Sequence, residues 1–234
     1  PGDGTAEWQG YFAYNDLPHL ENPDDGFIIT ANNDMTGALA DGDPTNDGHS
    51  PIQTATDPGL RAGRIRQLIE AGGATHTRDT MATIASDTYI LASEHLLPAL
   101  NQAVTGATLS PEQQQVYDAL VAWDGTCPTG LTSSDPASDP VTDPTVLANA
   151  VGCSAYHAFQ QAARTVTFDD NADANSFAEG SGETSWSMYP STSTWLRYID
   201  HPEAFDAAHN YWDDVTTTDV VETRDEILLR GLTD

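Results

Sequence analysis

The chain has no lysine, two cysteines and no long apolar segment. Among its 234 residues, 8 are basic, all of them arginine, and 36 are acidic, so the formal net charge is −28. A surface of this charge repels phosphate groups, which excludes nucleic acid and anionic membranes as partners. No run of residues approaches the roughly 18 apolar positions of a membrane-spanning helix. The charge is typical of adaptation to high salt, where screening weakens repulsion between carboxylates.

Familiar catalytic motifs are also missing. No Gly-x-Ser-x-Gly turn is present, and the seven histidines form no His-Glu-x-x-His zinc pattern. The first residues, Pro1 to Gly4, lack the basic and apolar regions of a signal peptide, so we expect any export signal to lie upstream. The sequence therefore does not support a self-contained catalytic triad.

The two cysteines leave two alternatives open. Cys127 and Cys153 are separated by a stretch rich in Pro and Asp, which would allow the chain to fold back on itself. They form a disulfide, which fits an extracellular or periplasmic protein, or they are two unrelated buried thiols. Spacing alone does not choose between them.

Apolar patterning predicts an α+β fold. Residues 8–14 and 26–31 have the aromatic and β-branched content of strands, with turn residues between them. Helical spacing follows from Leu60 to Gly72, from 77 to 100 with a break near Pro98, after the Ser110 capping box, from 144 to 164, and from 220 to 232. We expect a strand-loop-strand-helix segment over 1–71. A mainly helical region would follow over 72–234, with an acidic, Pro-rich insertion near 128–143 and a polar loop over 169–183.

Four short motifs occur in a characteristic order. They are Trp8-Gln9-Gly10 with Leu17-Pro18, then Asn22-Pro23-Asp24-Asp25-Gly26, then Asn32-Asn33 after the second predicted strand, then Arg61-Ala62-Gly63-Arg64-Ile65 opening a helix. This order resembles the β-chain of penicillin acylases, which are N-terminal-nucleophile hydrolases. The resemblance is specific over 8–69, looser through 124 and weak beyond Cys127. It implies that the two strands are a pair at the edge of the large sheet of that hydrolase fold.

The resemblance implies roles for two residues. Asn32 corresponds to the asparagine that helps to bind the oxyanion, a role that suits a neutral N–H donor. Arg61 corresponds to an arginine near the nucleophile and that asparagine. Without the resemblance, Asn32 would be read as a turn residue and Arg61 as a surface arginine at the start of a helix.

The same resemblance implies a function. The chain would be a fragment of a hydrolase that cleaves a linear amide, such as the side chain of a penicillin or an acylated homoserine lactone, through an acyl-enzyme intermediate. The nucleophilic serine would lie upstream of Pro1, so the fragment alone would be inactive and its partners would be the remaining α- and β-chain segments. The alternative is a secreted, salt-adapted, calcium-stabilised module for binding or structure, without catalysis.

The resemblance implies chemistry that requires no cofactor, but one loop is a candidate for structural calcium. Asp41, Asp43 and Asp47 alternate along an oxygen-rich stretch, as a hard cation prefers. The twelfth position from Asp41 is Ile52 rather than Glu, so the loop is not an EF-hand and a solvated acidic loop is favoured. A later set of aromatics, among them Trp186, Trp195 and Trp212, is assigned to packing in preference to an acyl pocket.

Overall fold

The computed structural model describes residues 3–5, 7–8, 10–34, 59–128, 143–174, 192–204 and 210–233. The chain divides into two compact units, 1–70 and 71–234. The α-helices are α1 (Leu60–Gly72), α2 (Arg78–Ala85), α3 (Ser93–Val104), α4 (Pro111–Ala122), α5 (Pro144–Ala174), α6 (Thr192–Asp200) and α7 (Arg224–Arg230); two 3₁₀ turns cover Tyr14–Asp16 and Pro202–Ala204. None of these helices is both long and apolar enough to cross a membrane.

The predicted α+β fold with an N-terminal strand pair is wrong. The described residues contain no β-strand, and residues 26–31 do not form one. Within 8–14, Trp8 and Tyr11 are at least 90% exposed, and the chain turns into the 3₁₀ segment at Tyr14. Aromatic and β-branched residues favour a strand only where a neighbouring strand supplies hydrogen bonds and a packing surface. No strand among the described residues pairs with 8–14 or 26–31, and the described part of the chain is mainly helical.

Helix α1 is the main regular element of the first unit, and its prediction is confirmed. It begins at Leu60 and ends at Gly72. The apolar residues that repeat at helical spacing, Ile65, Leu68 and Ile69 among them, are half-buried. This helix places Arg61 in its first turn, facing the turn at Ala31 to Asn33.

The second predicted helix is two helices with an earlier break. Thr77 caps α2 through a reciprocal hydrogen-bond pair with Thr80. The chain then leaves the helix at Ser86 and makes an isolated antiparallel bridge between Tyr89 and Thr126. Pro98 lies inside α3 without ending it. A proline at that position removes one helical hydrogen bond, and the burial of Leu96, Ala99, Leu100 and Ala103 on the same helix offsets this cost.

Helix α5 is the longest of the described elements, with 31 residues, and extends ten residues beyond its predicted end at 164. Phe168 and Thr167 are buried in this extension, and the Thr167 hydroxyl donates to the Ala163 carbonyl at 2.6 Å. Asp170 accepts a hydrogen bond from the Val215 amide at 2.8 Å. Burial of Thr167 and Phe168 and the tertiary contact between Asp170 and Val215 continue the helix through a polar sequence that by itself favours a loop.

The core of the second unit lies between α3, α5, α6 and α7. Helix α3 packs against α6 and α7, while α5 packs against α4 and α7. Fully buried side chains come from every one of these helices: Leu96, Leu100, Leu120, Tyr156, Phe159, Trp195, Ile199, Ile227 and Leu228. Helix α7 is shorter than the predicted 220–232, because Thr223 caps it and fixes its first residue at Arg224. The predicted packing role is confirmed for Trp195 and Trp212, which are buried, whereas Trp186 lies outside the described residues.

Candidate active site

The candidate site is a tight turn that follows residues 27–30. Ala31 is buried, and Asn32 adopts a left-handed backbone conformation with φ of 59°. Asparagine tolerates this region better than most residues. The Asn33 side chain braces the turn, because its Oδ1 accepts from the Ala31 amide at 3.1 Å and its Nδ2 donates to the Asp34 carbonyl at 3.2 Å.

Arg61 joins α1 to this turn. Its Nη2 donates to the Ala31 carbonyl oxygen at 2.8 Å and to the Asn32 Oδ1 at 3.0 Å. One guanidinium nitrogen carries two hydrogens, so it can make both bonds at once. The structure therefore brings together the two site residues predicted from the sequence, which are 29 positions apart.

The contact with Arg61 determines the orientation of the Asn32 amide. A guanidinium only donates hydrogen bonds, so the atom facing it must be the amide oxygen and the Nδ2 group must face away. Asn32 is exposed, and its Nδ2 donates to no atom of the described residues. The turn thus presents a neutral N–H donor beside a permanent positive charge, an arrangement that can stabilise a developing oxyanion.

An open cleft of about 280 Å³ lies beside the turn in the same unit. Its lining includes Phe27, Ile29, Asn33 and Arg66. Arg66 is engaged in ion pairs, with Asp25 at 2.9 Å and with Glu70 at 3.2 Å, and its guanidinium lies 5.1 Å from the centre of the Phe27 ring. The hydrogen bond with Asp25, followed by that with Glu70, raises the pKa of Arg66. Arg66 is therefore a structural residue, and the cleft wall is mostly apolar.

The residues predicted to bind calcium are not among those that the structure describes. Asp41, Asp43 and Asp47 lie outside the described residues, so their role stays a prediction. Of the two alternatives for the cysteines, the structure has the disulfide between Cys127 and Cys153.

Sequence reasoning missed two polar groupings in the second unit. His157 lies beside the disulfide, with its Nε2 at 3.8 Å from the Cys127 Sγ. The signal was available, because His157 follows Cys153 by four residues on a predicted helix. The second grouping joins Arg230 to Asp214 and to the buried Glu222. No spacing rule predicts it, because it depends on how the chain turns between 210 and 223.

Comparison with known proteins identifies the family. The family model described as penicillin amidase matches residues 1–234. Penicillin acylase 2 proenzyme of Pseudomonas sp. (strain SE83) is 34% identical over 128 residues, which cover 53% of this chain and 15% of that proenzyme. The chain thus matches only a small part of its curated relative, and no solved structure matches it. Because the family model covers the whole sequence, the chain belongs to the penicillin amidase family.

Proposed function

We propose that this chain is a segment of a penicillin-acylase-like hydrolase that cleaves linear amides, and that Asn32 donates a hydrogen bond to the reacting oxyanion. The observation that carries the proposal is the pair of hydrogen bonds from Arg61 to Ala31 and Asn32. They hold the turn against α1 and leave the Asn32 Nδ2 as the outward donor. Membership of an amidase family supports amide hydrolysis and does not favour the non-catalytic alternative.

The proposed chemistry follows from this arrangement. A serine supplied by sequence outside these 234 residues attacks the amide carbon, and its own α-amine takes the proton. The carbonyl oxygen becomes an anion, to which the Asn32 Nδ2 donates while the Arg61 guanidinium adds a favourable field. The α-ammonium group gives its proton to the leaving nitrogen, the intermediate expels the amine and leaves an acyl-enzyme, and water then hydrolyses that acyl-enzyme. Arg61 is a positioning residue, because its hydrogen bonds go to Ala31 and Asn32 and its charge acts on the oxyanion only from a distance.

The test uses Asn32→Asp in the longer protein that we propose. Aspartate tolerates the left-handed backbone and keeps an oxygen acceptor for Arg61, but it has no N–H donor. We expect kcat and kcat/KM for a penicillin side-chain amide to fall together by about a hundredfold or more. Thermal unfolding of the variant should stay close to that of the wild type, because the contact with Arg61 is retained.

Asn22 provides the matched control. It is the other asparagine of the described residues with a positive φ, at 49°, and it takes no part in the candidate site. Asn22→Asp should leave turnover unchanged. Near-normal turnover by Asn32→Asp would remove the oxyanion role without touching the family assignment.

A second experiment concerns the chain on its own. The proposal places the nucleophile outside these residues, so the isolated 234-residue chain should release no product from a linear amide. A release assay with the complete enzyme as the positive control measures this. Turnover by the isolated chain that scales with its concentration would show that the nucleophile lies within it.

A further inference from the structure

Three side chains with metal-binding atoms meet at one place in the second unit. The Sγ atoms of Cys127 and Cys153 and a ring nitrogen of His157 all lie within 4.8 Å of one another. The two cysteines are half-buried and His157 is exposed. The grouping is independent of the candidate active site, which lies in the other unit.

Two of the three side chains share a helix face. Cys153 and His157 are four residues apart on α5, a spacing that places both on the same side of a helix. Cys127 approaches from the segment that follows α4. The geometry is therefore that of two ligands from one helix and a third from a neighbouring loop.

In addition to the disulfide, backbone hydrogen bonds hold Cys127 in place. Its amide donates to the Thr88 carbonyl at 3.0 Å, and the Ile90 amide donates to the Gly125 carbonyl at 2.8 Å. These two bonds secure the segment to residues 88–90 on either side of the bridge between Tyr89 and Thr126.

Side-chain contacts secure the same segment to α4 and α5. The Trp123 indole nitrogen donates to the Thr126 carbonyl at 2.6 Å, and the Asn149 Nδ2 donates to the Asp124 carboxylate at 2.7 Å. Asn149 lies one turn before Cys153 on α5. Breaking the sulfur–sulfur bond therefore leaves the two cysteines facing each other.

We propose that the reduced chain binds a zinc ion through the Cys127 and Cys153 thiolates and the His157 imidazole, so that the disulfide and the metal site are alternative states of the same residues. A small-molecule dithiol reduces the bond: the disulfide takes up two electrons and two protons to give two thiols, and the dithiol becomes a disulfide. Zn²⁺ then displaces one proton from each thiol. The fourth position takes water.

The dimensions suit this ion. Tetrahedral zinc has bonds of about 2.3 Å to sulfur and about 2.0 Å to nitrogen, which places its ligand atoms roughly 3.5 to 3.8 Å apart. The Cys127 Sγ and the His157 Nε2 are already 3.8 Å apart. Rotation of the cysteine and histidine side chains would bring the other ligand atoms, which lie within 4.8 Å of one another, to the same spacing. Thiolate ligands also distinguish the site from the many carboxylates of the chain, which prefer hard cations.

The experiment uses Co²⁺ as a spectroscopic substitute for zinc in the 234-residue chain. The chain is reduced with a dithiol, desalted under nitrogen and titrated with Co²⁺. We expect one equivalent to produce a near-ultraviolet thiolate-to-cobalt charge-transfer band and the visible bands of tetrahedral cobalt, and Zn²⁺ to bleach both. The oxidised chain carries the same carboxylates and should produce neither.

Variants identify the ligands. Cys153→Ser removes one of the two thiolates and should at least halve the charge-transfer band of the one-to-one complex. His157→Gln should weaken cobalt binding by at least about tenfold, the lower end of what even an outer-shell partner contributes. His19→Gln, which changes an exposed histidine of the other unit, is the matched control and should bind cobalt like the wild type.

Two outcomes would overturn the proposal. The first is a reduced chain without a charge-transfer band, including one whose circular dichroism shows that its helices are lost. The second is equal cobalt affinity in His157→Gln and the wild type, which would mean that the imidazole is not a ligand.

Discussion

Glu222 is a buried carboxylate whose ion-pair partner among the described residues is Arg230. Arg230 pairs with it and with Asp214, and the Thr217 hydroxyl and the Asp214 amide donate to it. Burial raises the pKa of Glu222, but the hydrogen bonds from Arg230, Asp214 and Thr217 outweigh burial and hold it below its ordinary value of 4.5. At Asp214, hydrogen bonds from Thr216 lower the pKa against the effect of burial. Both carboxylates are therefore charged in the folded chain at neutral pH.

We predict that Glu222→Gln destabilises the chain by about 2 kcal/mol at pH 7, because the charged hydrogen bonds with Arg230 are lost. A carboxylate with a lowered pKa in the folded state contributes stability above its unfolded value, and this contribution is lost as pH falls through the folded value. The difference in unfolding free energy between wild type and variant should therefore shrink below about pH 4. Urea unfolding at several pH values measures it.

Asp219→Asn is the control for this prediction. Asp219 is exposed on the same loop and has no ion-pair partner among the described residues, so its substitution should change stability by less than about 0.5 kcal/mol. A constant Glu222→Gln penalty from pH 7 to pH 3 would show that the carboxylate is not the source of the stability.

For single residues, the sequence predicts which residues belong to the candidate site better than it predicts their contacts. Resemblance to a family singles out Asn32 and Arg61, although they are far apart in the chain. It does not reveal that the arginine contacts the amide oxygen, because this depends on the left-handed turn at Asn32. Glu222 was missed because burial of a charge depends on tertiary packing.

Among the elements, α4 and α5 meet at a glycine. A Cβ atom added at Gly152 would lie 2.4 Å from the Cβ of Trp123, the C-cap residue of α4. The Trp123 ring also packs against the Tyr156 ring, with centroids 4.9 Å apart. The close approach of the two helices therefore requires a residue without a side chain on α5.

We predict that Gly152→Ala destabilises the chain by about 1 to 3 kcal/mol, the usual cost of overpacking, even though alanine favours helix formation. Thermal unfolding followed by circular dichroism measures the change. Ser154→Ala, at an exposed position of the same helix, should be nearly neutral. A stabilising Gly152→Ala would show that helix propensity outweighs the contact with Trp123.

The starts of α1, α2 and α4 could be predicted from the sequence, whereas those of α3, α6 and α7 and several helix lengths could not. The Ser110 capping box fixes the start of α4 by local hydrogen bonds, so local sequence suffices. The end of α5 depends on Asp170 meeting Val215, a contact between distant residues. The strand prediction failed for a related reason, since a strand exists only with a partner.

The whole molecule carries a charge of −28 with only arginine as its basic residue. Repulsion among carboxylates opposes the compact state and is screened over about 10 Å at an ionic strength of 0.1 M. In the second unit, Arg224 already pairs with Asp225, and Arg230 already pairs with Asp214 and Glu222. Cations from the solution must balance the remaining negative charge.

We predict that the melting temperature rises steeply as NaCl increases from about 0.01 M to about 0.5 M, because screening removes repulsion from the folded state. Differential scanning calorimetry measures the midpoint. An uncharged osmolyte at equal osmolality should raise the midpoint much less. A midpoint that does not respond to NaCl would contradict the proposed adaptation to salt.

The disulfide between Cys127 and Cys153 also closes a covalent ring in the polypeptide. A protease that hydrolyses one peptide bond inside this ring adds one water molecule, but the disulfide keeps the two resulting pieces joined. The nicked chain would migrate as a single band on a denaturing gel without reductant and as two bands with it. If the products of limited digestion are analysed only on gels without reductant, the polypeptide would therefore look intact after its backbone has been cut.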